Sequence, residues 1–447
     1  MRVLMSVMPF AGHVRPITHL AGALVERGHS VTVHTGSRYR DRVEQVGARL
    51  LPWQDARDFD ETRLRDFFPE AGRSGFRGML GNFEHVFFGT AAGQARDLVR
   101  EIDRVTVPFD VIAGDTLSFG IGMAAELRPL PWASVSIVPN SYPGDQVPPM
   151  GLRLGPARGR AGELRNRALW RGMEWSTTSL RRAYRRARLE VGLGPGLPIE
   201  FGTMSPDLVL LSGPPRLDHD RTDLPSQFHY VGRLSDPART IAPAVRTSPP
   251  HVLVTQGTYN TDPGDLLVPT VRALTGRPVR VTVTTGRSGH TDLGIPVPAN
   301  VSVVDFADFD EILPRTSVVV TNGGWGGVQD ALAAGVSLVV AGGELDKPEI
   351  AARVARSGVG IDLRTGRPRP RAIRLGVLRA LSDPSIARQA RECAGELARL
   401  GGSVRAAELI EELGRRADRR VLSTPGDGSR PAPGYRQMFE NDVFTWN

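Results

Sequence analysis

The sequence predicts an α/β protein built from two doubly wound parallel-sheet domains. Short β-branched runs alternate with amphipathic helical stretches through residues 1–232, and the same alternation resumes at residue 251. Residues 233–250 show no periodicity and contain a cluster of prolines, which is typical of an interdomain linker. Ligands of such sheets lie beyond the carboxyl ends of the strands, so we expect a cleft between the domains, lined by the loops that follow the strands.

The first half opens with a β-α-β pattern. Residues 2–8 are an apolar strand, residues 16–27 have apolar positions at helical spacing, and Gly28 ends that helix before a second strand at 29–35. Further strands are predicted near 48–51, 109–114, 132–138, 208–211 and 229–232.

The second half repeats the pattern with five apolar runs. The last helices are predicted at 372–381 and 385–413. Residues 414–447 are rich in Gly, Pro, Ser and Arg, and we expect a C-terminal tail that either has no fixed structure or packs back on the first domain. The five strand segments are HVLVTQGT from His251, VRVTVTTG from Val279, NVSVVDF from Asn300, SVVVTN from Ser317 and VSLVVAG from Val336.

Charge and composition restrict the class of protein and its compartment. The single cysteine, Cys393, excludes an intrachain disulfide. The sequence has no apolar run of about 18 residues that would predict a membrane-spanning helix, and the first residues are predicted to form a strand rather than a signal peptide. We therefore expect a cytoplasmic protein. The net charge of +8 comes almost wholly from arginine, and Lys347 is the one lysine of the chain. Arginine excess of this kind often follows genome composition.

One basic stretch leaves an alternative open. Residues 161–188 carry many arginines between Trp170, Trp175 and Tyr184, and we interpret them as an amphipathic helix with a solvated face. Peripheral contact with a membrane surface is the alternative, whereas no nucleic-acid-binding motif accompanies the charge and no nucleic-acid partner is expected.

A glycine-rich turn predicts an anion site. The strand Val318–Val320 leads into Asn322 and four glycines, and helical spacing follows from Val328. Glycines allow backbone to approach a ligand closely, and a helix N-terminus offers free N–H groups and a positive dipole. The stretch therefore predicts a phosphate site for a nucleotide.

Four stretches together carry a family resemblance that covers the chain up to about residue 413. They are MPFAGHVRPITHLAGALVERGHSVTVHT near the start, DVIAGDTLSFG from Asp110, VLVTQGT from Val252, and the glycine-rich stretch with the GGELDKPE that follows. In this order they resemble the inverting, nucleotide-sugar-dependent glycosyltransferases of the GT-B fold, in the family shared with UDP-glycosyltransferases, and most of all its actinobacterial branch that decorates macrolides and other polyketide natural products. The resemblance implies two Rossmann-like domains: residues 1–232 for the acceptor and 251–413 for the donor.

The resemblance implies that His13 is the catalytic base and Asp115 its partner. An acceptor hydroxyl is a poor nucleophile until a base takes its proton, and neutral histidine titrates in a useful range. Asp115 ends a strand at the cleft, where a carboxylate holds an imidazole in one tautomer; a helix cap is the other interpretation of this aspartate. We expect His19, His29 and His34 to be structural.

The resemblance also implies the donor site. Asp330 matches the acidic residue for the ribose hydroxyls, Asp346 the one for the sugar hydroxyls, and Phe306 the aromatic ring against the nucleobase. The remaining expected donor contacts are Thr258, Asn322, Gly324, Trp325, Gly326, Gly327 and Lys347. Two of these depart from the family pattern: Asn322 stands where histidine usually contacts the diphosphate, and Lys347 where glutamine is usual. We expect asparagine still to donate a hydrogen bond to phosphate, and Lys347 to contact a phosphate or a sugar oxygen.

The predicted reaction is transfer of a sugar from a UDP- or dTDP-linked donor to a hydroxyl of a hydrophobic small molecule, without cofactor or metal. A deoxysugar is one candidate for the transferred group. Phenylalanines that concentrate in residues 55–90 predict an apolar acceptor pocket, for which Phe67, Phe83 and Phe87 are the candidates; part of this set is expected to be core. The alternatives are a lipid acceptor at a membrane surface and a non-catalytic partner that activates another transferase. The protein is expected to be a monomer or homodimer.

Overall fold

The computed structural model of the protein describes residues 1–71, 75–196, 198–199, 202–239, 241–245, 247–257 and 262–423. Within these residues the chain forms two wholly parallel sheets. The first has seven strands in the order β3-β2-β1-β4-β5-β6-β7. Its strands are β1 Arg2–Ser6, β2 Ser30–Thr35, β3 Arg49–Pro52, β4 Val111–Asp115, β5 Trp132–Ser136, β6 Leu208–Ser212 and β7 Phe228–Gly232.

Eight helices accompany the first sheet. A π-helical segment, Asn82–Phe88, joins the fourth of them to the fifth. The helices are α1 Ala11–Glu26, α2 Arg40–Gln45, α3 Leu64–Phe67, α4 Gly75–Gly81, α5 Gly89–Arg104, α6 Gly120–Leu127, α7 Gly159–Ser176 and α8 Thr178–Glu190.

The second sheet has six strands in the order β10-β9-β8-β11-β12-β13. The strands are β8 His251–Thr255, β9 Arg280–Thr284, β10 Val301–Val304, β11 Val318–Thr321, β12 Ser337–Val340 and β13 Gly360–Asp362, and the last of these was not predicted. The helices are α9 Leu267–Leu274, α10 Phe309–Ile312, α11 Trp325–Ala333, α12 Lys347–Arg356, α13 Pro370–Ser382, α14 Pro384–Leu400 and α15 Gly402–Ser423. Two doubly wound parallel sheets confirm the predicted fold class.

Burial explains why the strands are continuous apolar runs. Every residue of β4, β5 and β6 is buried, as is every residue of β11 and β12, because helices cover both faces of each sheet. The strand order reverses between β1 and β4 in the first sheet and between β8 and β11 in the second. The loops after these four strands therefore lie where doubly wound sheets bind their ligands.

The last helices differ from the prediction. A single helix over 385–413 was wrong, because Gly401 adopts φ +79° and breaks it into α14 and α15. α15 then returns to the first sheet, where Ala406, Ala407, Leu409 and Ile410 join the core that includes α1 and β1. Its Glu411 accepts hydrogen bonds from Arg27 and His29 at the end of α1.

The predicted basic helix of residues 161–188 is two helices, α7 and α8, which meet at Thr177. Trp170 and Tyr184 are buried, while the Trp175 side chain is 85% exposed. Across the described ranges, none of the helices combines the length and apolar content needed to cross a bilayer.

The two sheets touch through buried polar contacts. The indole N–H of Trp325 donates to Ser212 Oγ at 2.9 Å, and it joins the start of α11 to the end of β6. Arg353 of α12 donates to Asp218 Oδ1 at 2.9 Å and to the carbonyl oxygen of Asn140 at 2.9 Å, both in loops of the first domain, and its Nε donates to Glu349 at 3.0 Å. These bonds fix α12, and with it the residues at its N-terminus, against the first domain.

Candidate active site

His13 and Asp115 meet at the carboxyl ends of the neighbouring strands β1 and β4. His13 lies in the first turn of α1, which begins at Ala11 rather than at the predicted Pro16. Its Nδ1 is 2.6 Å from Asp115 Oδ2, and the other carboxylate oxygen accepts the backbone N–H of Leu117 at 2.9 Å. Asp115 is fully buried, whereas the His13 side chain keeps 16% of its surface exposed. Nδ1–H therefore donates to the carboxylate, and Nε2 is left with its lone pair available.

The electrostatics favour a basic imidazole. Burial alone would lower the pKa of His13, but the Asp115 carboxylate, followed by Asp346 and Glu61, raises it above the ordinary value. The buried pair of His34 and Asp97 shows the opposite result: there burial prevails and lowers the pKa of His34. That ring is fully buried, with Nδ1 at 3.2 Å from Ser6 Oγ and Nε2 at 3.3 Å from Asp97, as expected of a structural histidine.

Glu61 is a site residue that the sequence reasoning missed. Both of its carboxylate oxygens accept the backbone N–H of Ala11, at 3.0 and 3.1 Å, and Oε1 also accepts the Tyr39 hydroxyl at 2.9 Å. Glu61 thus places a negative charge at the positive N-terminal end of α1, against Ala11, which precedes His13 by two residues. The segment that carries it belongs to the predicted acceptor loop, so this contact ties that loop to the histidine.

The predicted acceptor rings belong to an aromatic cluster that reaches His13. Phe10, a second residue that was missed, has its ring centroid 5.5 Å from that of His13 and 5.9 Å from that of Phe87. Phe83 follows at 5.0 Å from Phe87. Phe87 is buried, and Phe10, Phe67 and Phe83 are partly buried against the same cluster. The cluster forms an apolar wall beside the imidazole.

The glycine turn after β11 leads into the N-terminus of α11, as predicted. Gly323 has φ +90°, and a Cβ placed on it would lie 2.9 Å from Val340, so no other residue fits this turn. Gly324 is the N-cap of α11 in extended conformation, and Gly326 and Gly327 form its first turn with open space where side chains would be. The free N–H groups of this turn make it suited to bind an anion.

The side chains of two predicted donor contacts form hydrogen bonds within the protein. Asn322 is 7% exposed, and its amide group donates to the carbonyl oxygen of Gln256. The ring of Trp325 is equally buried, packs in the core of the second domain and bonds Ser212 as described above. The structure therefore assigns Asn322 to the joint between β8 and β11, and Trp325 to the joint between the domains.

The predicted nucleoside contacts Asp330 and Phe306 lie in α11 and directly after β10. Asp330 accepts a hydrogen bond from Arg233 at 2.7 Å, and Arg15 of α1 stands 4.0 Å from its other oxygen. Both arginines line a cavity of about 240 Å³ between α1 and α10. Phe306 follows β10, with its side chain half exposed.

Asp346 and Lys347 begin α12, with Asp346 as the N-cap residue. Burial raises the pKa of Asp346, although Lys347 and His13 oppose that shift. The Asp346 carboxylate in turn helps to raise the pKa of His13. Burial lowers the pKa of Lys347, and the nearby carboxylates do not compensate.

Two further expectations concern Thr258 and metal ions. Thr258 lies outside the described residues. Within the part of the chain that the structure describes, no three His, Cys, Asp or Glu side chains are grouped so that they could hold a metal ion.

The first doubly wound sheet carries a histidine–aspartate pair, and the second carries a glycine turn at a helix N-terminus. Together these features define the class of protein as a GT-B glycosyltransferase. A model of the erythromycin biosynthesis protein CIII-like C-terminal domain matches residues 280–412. The chain is 37% identical to 4'-demethylrebeccamycin synthase of Lentzea aerocolonigenes, over 92% of this chain and 99% of that protein. The chain belongs to the natural-product glycosyltransferases of this fold.

Two further comparisons agree with that assignment. UDP-glucosyltransferase A1 of Starmerella bombicola is 29% identical over 92% of each chain. A solved structure, the glycotransferase of kitacinnamycin, superposes with a TM-score of 0.72 at 24% identity, over 92% of this chain and 98% of that one. The likeness to the solved structure concerns the fold alone.

Proposed function

We propose that the protein transfers a sugar from a nucleoside-diphosphate sugar to a hydroxyl group of a hydrophobic small molecule, with inversion at the anomeric carbon. The observation that carries the proposal is the His13–Asp115 pair, bonded at 2.6 Å, partly open to the cleft and bordered by the aromatic cluster. A base in this position removes a proton from an acceptor held against an apolar wall.

In the proposed reaction Nε2 of His13 takes the acceptor proton as the acceptor oxygen attacks the anomeric carbon. The bond between that carbon and the diphosphate oxygen breaks on the opposite face, and its electron pair leaves with the diphosphate. Asp115 stabilises the imidazolium that forms and keeps Nδ1 protonated throughout. A single displacement of this kind inverts the configuration.

The donor half supplies binding and charge. In this proposal the amides of Gly324, Gly326 and Gly327 at the start of α11 bind the diphosphate, and Asp346 at the start of α12 accepts hydrogen bonds from the sugar. Because helix ends and side chains provide positive charge, we propose that the reaction needs no metal ion. The name of the Starmerella relative, a UDP-glucosyltransferase, supports a UDP-linked hexose, and a dTDP-linked deoxysugar is the alternative.

Transfer assays with the purified protein test the proposal. UDP-glucose, other UDP-sugars and dTDP-deoxysugars are each combined with a panel of aromatic and polyketide aglycones, and products are identified by chromatography and mass spectrometry. We expect a product whose anomeric configuration by NMR is opposite to that of the donor, and a rate that EDTA does not change. Product formation with retained configuration would contradict the mechanism, and absence of transfer with every pair would contradict the function.

A further inference from the structure

We propose that Lys347 supplies the positive charge that stabilises the departing diphosphate, and thus acts as a catalytic residue. This inference rests on the proposed function, since it concerns the leaving group of that reaction. It goes further by assigning to one side chain a task for which the glycine turn offers only neutral N–H groups.

The position of Lys347 places it against the diphosphate site. A Cβ built on Gly323 would lie 3.7 Å from Cβ of Lys347 and 3.5 Å from its carbonyl oxygen, so the lysine stem starts directly over the glycine turn. Lys347 therefore begins α12 beside the loop that follows β11, at the switch point of the second sheet.

Its ammonium group has no anionic partner of its own. Among the described residues no carboxylate forms an ion pair with Lys347 and no acceptor bonds its Nζ, although the side chain is more than half buried. Asp265 is paired with Arg367 at 2.6 Å. Asp346 and Glu344 attract the ammonium group without contacting it, and burial still lowers its pKa.

The helix position makes this unpaired charge more unfavourable. Lys347 is the first residue of α12, where the helix dipole repels a cation, and the N-terminus of α11 starts on the other side of the glycine turn. The lysine thus adds a positive charge beside two positive helix ends. An arriving diphosphate relieves that repulsion, and the added charge that develops on its oxygen as the anomeric bond breaks is stabilised further.

The Asn322 side chain at the turn is less suited to this role. One N–H of its amide donates to the carbonyl oxygen of Gln256, and the amide carries no net charge. A charge-assisted hydrogen bond from an ammonium group to phosphate is also roughly twice as strong as one from a neutral amide. Of the two positions that depart from the family pattern, Lys347 is the one that can bring a positive charge to the leaving group.

Binding of UDP, dTDP, uridine and thymidine to the full chain, measured by calorimetry, tests the inference. For Lys347→Met we expect the affinity for the diphosphates to fall about 10- to 100-fold, which is the worth of one hydrogen bond to a charged group, while nucleoside affinity stays unchanged. kcat should fall at least as much, and Lys347→Arg should retain most of both. The melting temperature of the ligand-free Lys347→Met variant should not drop, since a repelled charge has been removed.

Control variants and contrary outcomes separate this inference from the proposed function. Arg367→Met removes a cation near the same Asp265, but one that is exposed and paired, and should change neither affinity. Unchanged diphosphate affinity in Lys347→Met and in a second neutral variant, Lys347→Gln, would refute the inference. A loss seen with sugar-bearing donors and not with the free diphosphates would also refute it, because the contact would then be to the sugar. A wild type that binds neither diphosphate would instead overturn the proposed function itself.

Discussion

Replacing Asp115 by asparagine changes the proposed base with little change in shape. The carboxamide oxygen can still accept the N–H of Leu117, which Asp115 Oδ1 accepts at 2.9 Å. The carboxamide NH2 group would then face Nδ1 of His13 and donate to it. That moves the ring proton to Nε2, the atom that must take the acceptor proton, so the variant has both the wrong tautomer and no negative charge.

The size of the effect follows from the buried pair. Charges about 4 Å apart at an effective dielectric constant of about 20 interact by about 4 kcal/mol. Each 1.36 kcal/mol of transition-state energy is about a factor of ten, so loss of the attraction to the forming imidazolium predicts a fall in kcat of about 10³-fold. This lies inside the range of about 10² to 10⁴ for general base catalysis, and His13→Ala should lose a similar amount.

Rates of the two single variants and of the double variant, measured against pH, test this account. Because the two residues act as a unit, the double variant should be no slower than His13→Ala. In the wild type the rate falls as pH drops through the raised pKa of His13, and Asp115→Asn should move that limb of kcat/KM to lower pH. Additive losses, or an unchanged acidic limb with an unchanged melting temperature, would refute the reasoning.

Three further variants test the surroundings of the base. Glu61→Gln removes a charge that helps to raise the pKa of His13, so the acidic limb of kcat/KM should shift to lower pH; an unmoved limb would limit Glu61 to loop anchoring. Trp325→Phe loses the bond to Ser212 and should cost about 1 kcal/mol of stability with donor KM unchanged; a raised donor KM at constant stability would instead make Trp325 a donor contact. Burial alone would raise the pKa of Glu349, but His219 and Arg353 lower it to about 2. The stabilisation that the ionised Glu349 provides is therefore present at neutral pH and is lost as pH falls from 4.5 toward 2. The difference in melting temperature between wild type and Glu349→Gln should accordingly narrow in acid.

The parts of the fold that depend on local pattern were predictable. Fully buried strands must be apolar along their whole length, so β1, β4, β8 and β11 are visible in the sequence. Once the sheets are known to be parallel, a residue that follows one of these strands is known to lie at the cleft. That reasoning placed both His13 and Asp115 at the cleft, and the family resemblance paired them, although 102 positions separate them.

The parts that depend on distant chain segments were not predictable. Whether Asn322 points toward a ligand or toward Gln256 depends on the path of the loop after β8, which nothing near Asn322 encodes. The contact between Glu61 and Ala11 likewise joins an irregular loop to a helix end. The break at Gly401 escaped notice because apolar positions continue at helical spacing on both sides of the glycine, and a glycine within such a pattern is compatible with helix or with turn.

The return of α15 to the first sheet has a consequence for how the protein is made. The core around β1 is complete only when Leu409 and Ile410 arrive, yet about 170 residues separate the end of β7 from the start of α15. At a synthesis rate of about 5 to 20 residues per second, the first domain waits on the order of ten seconds or more on the ribosome with an apolar groove uncovered. Maturation of the acceptor half is therefore coupled to completion of the donor half, and a polypeptide released before residue 402 leaves that groove open to aggregation.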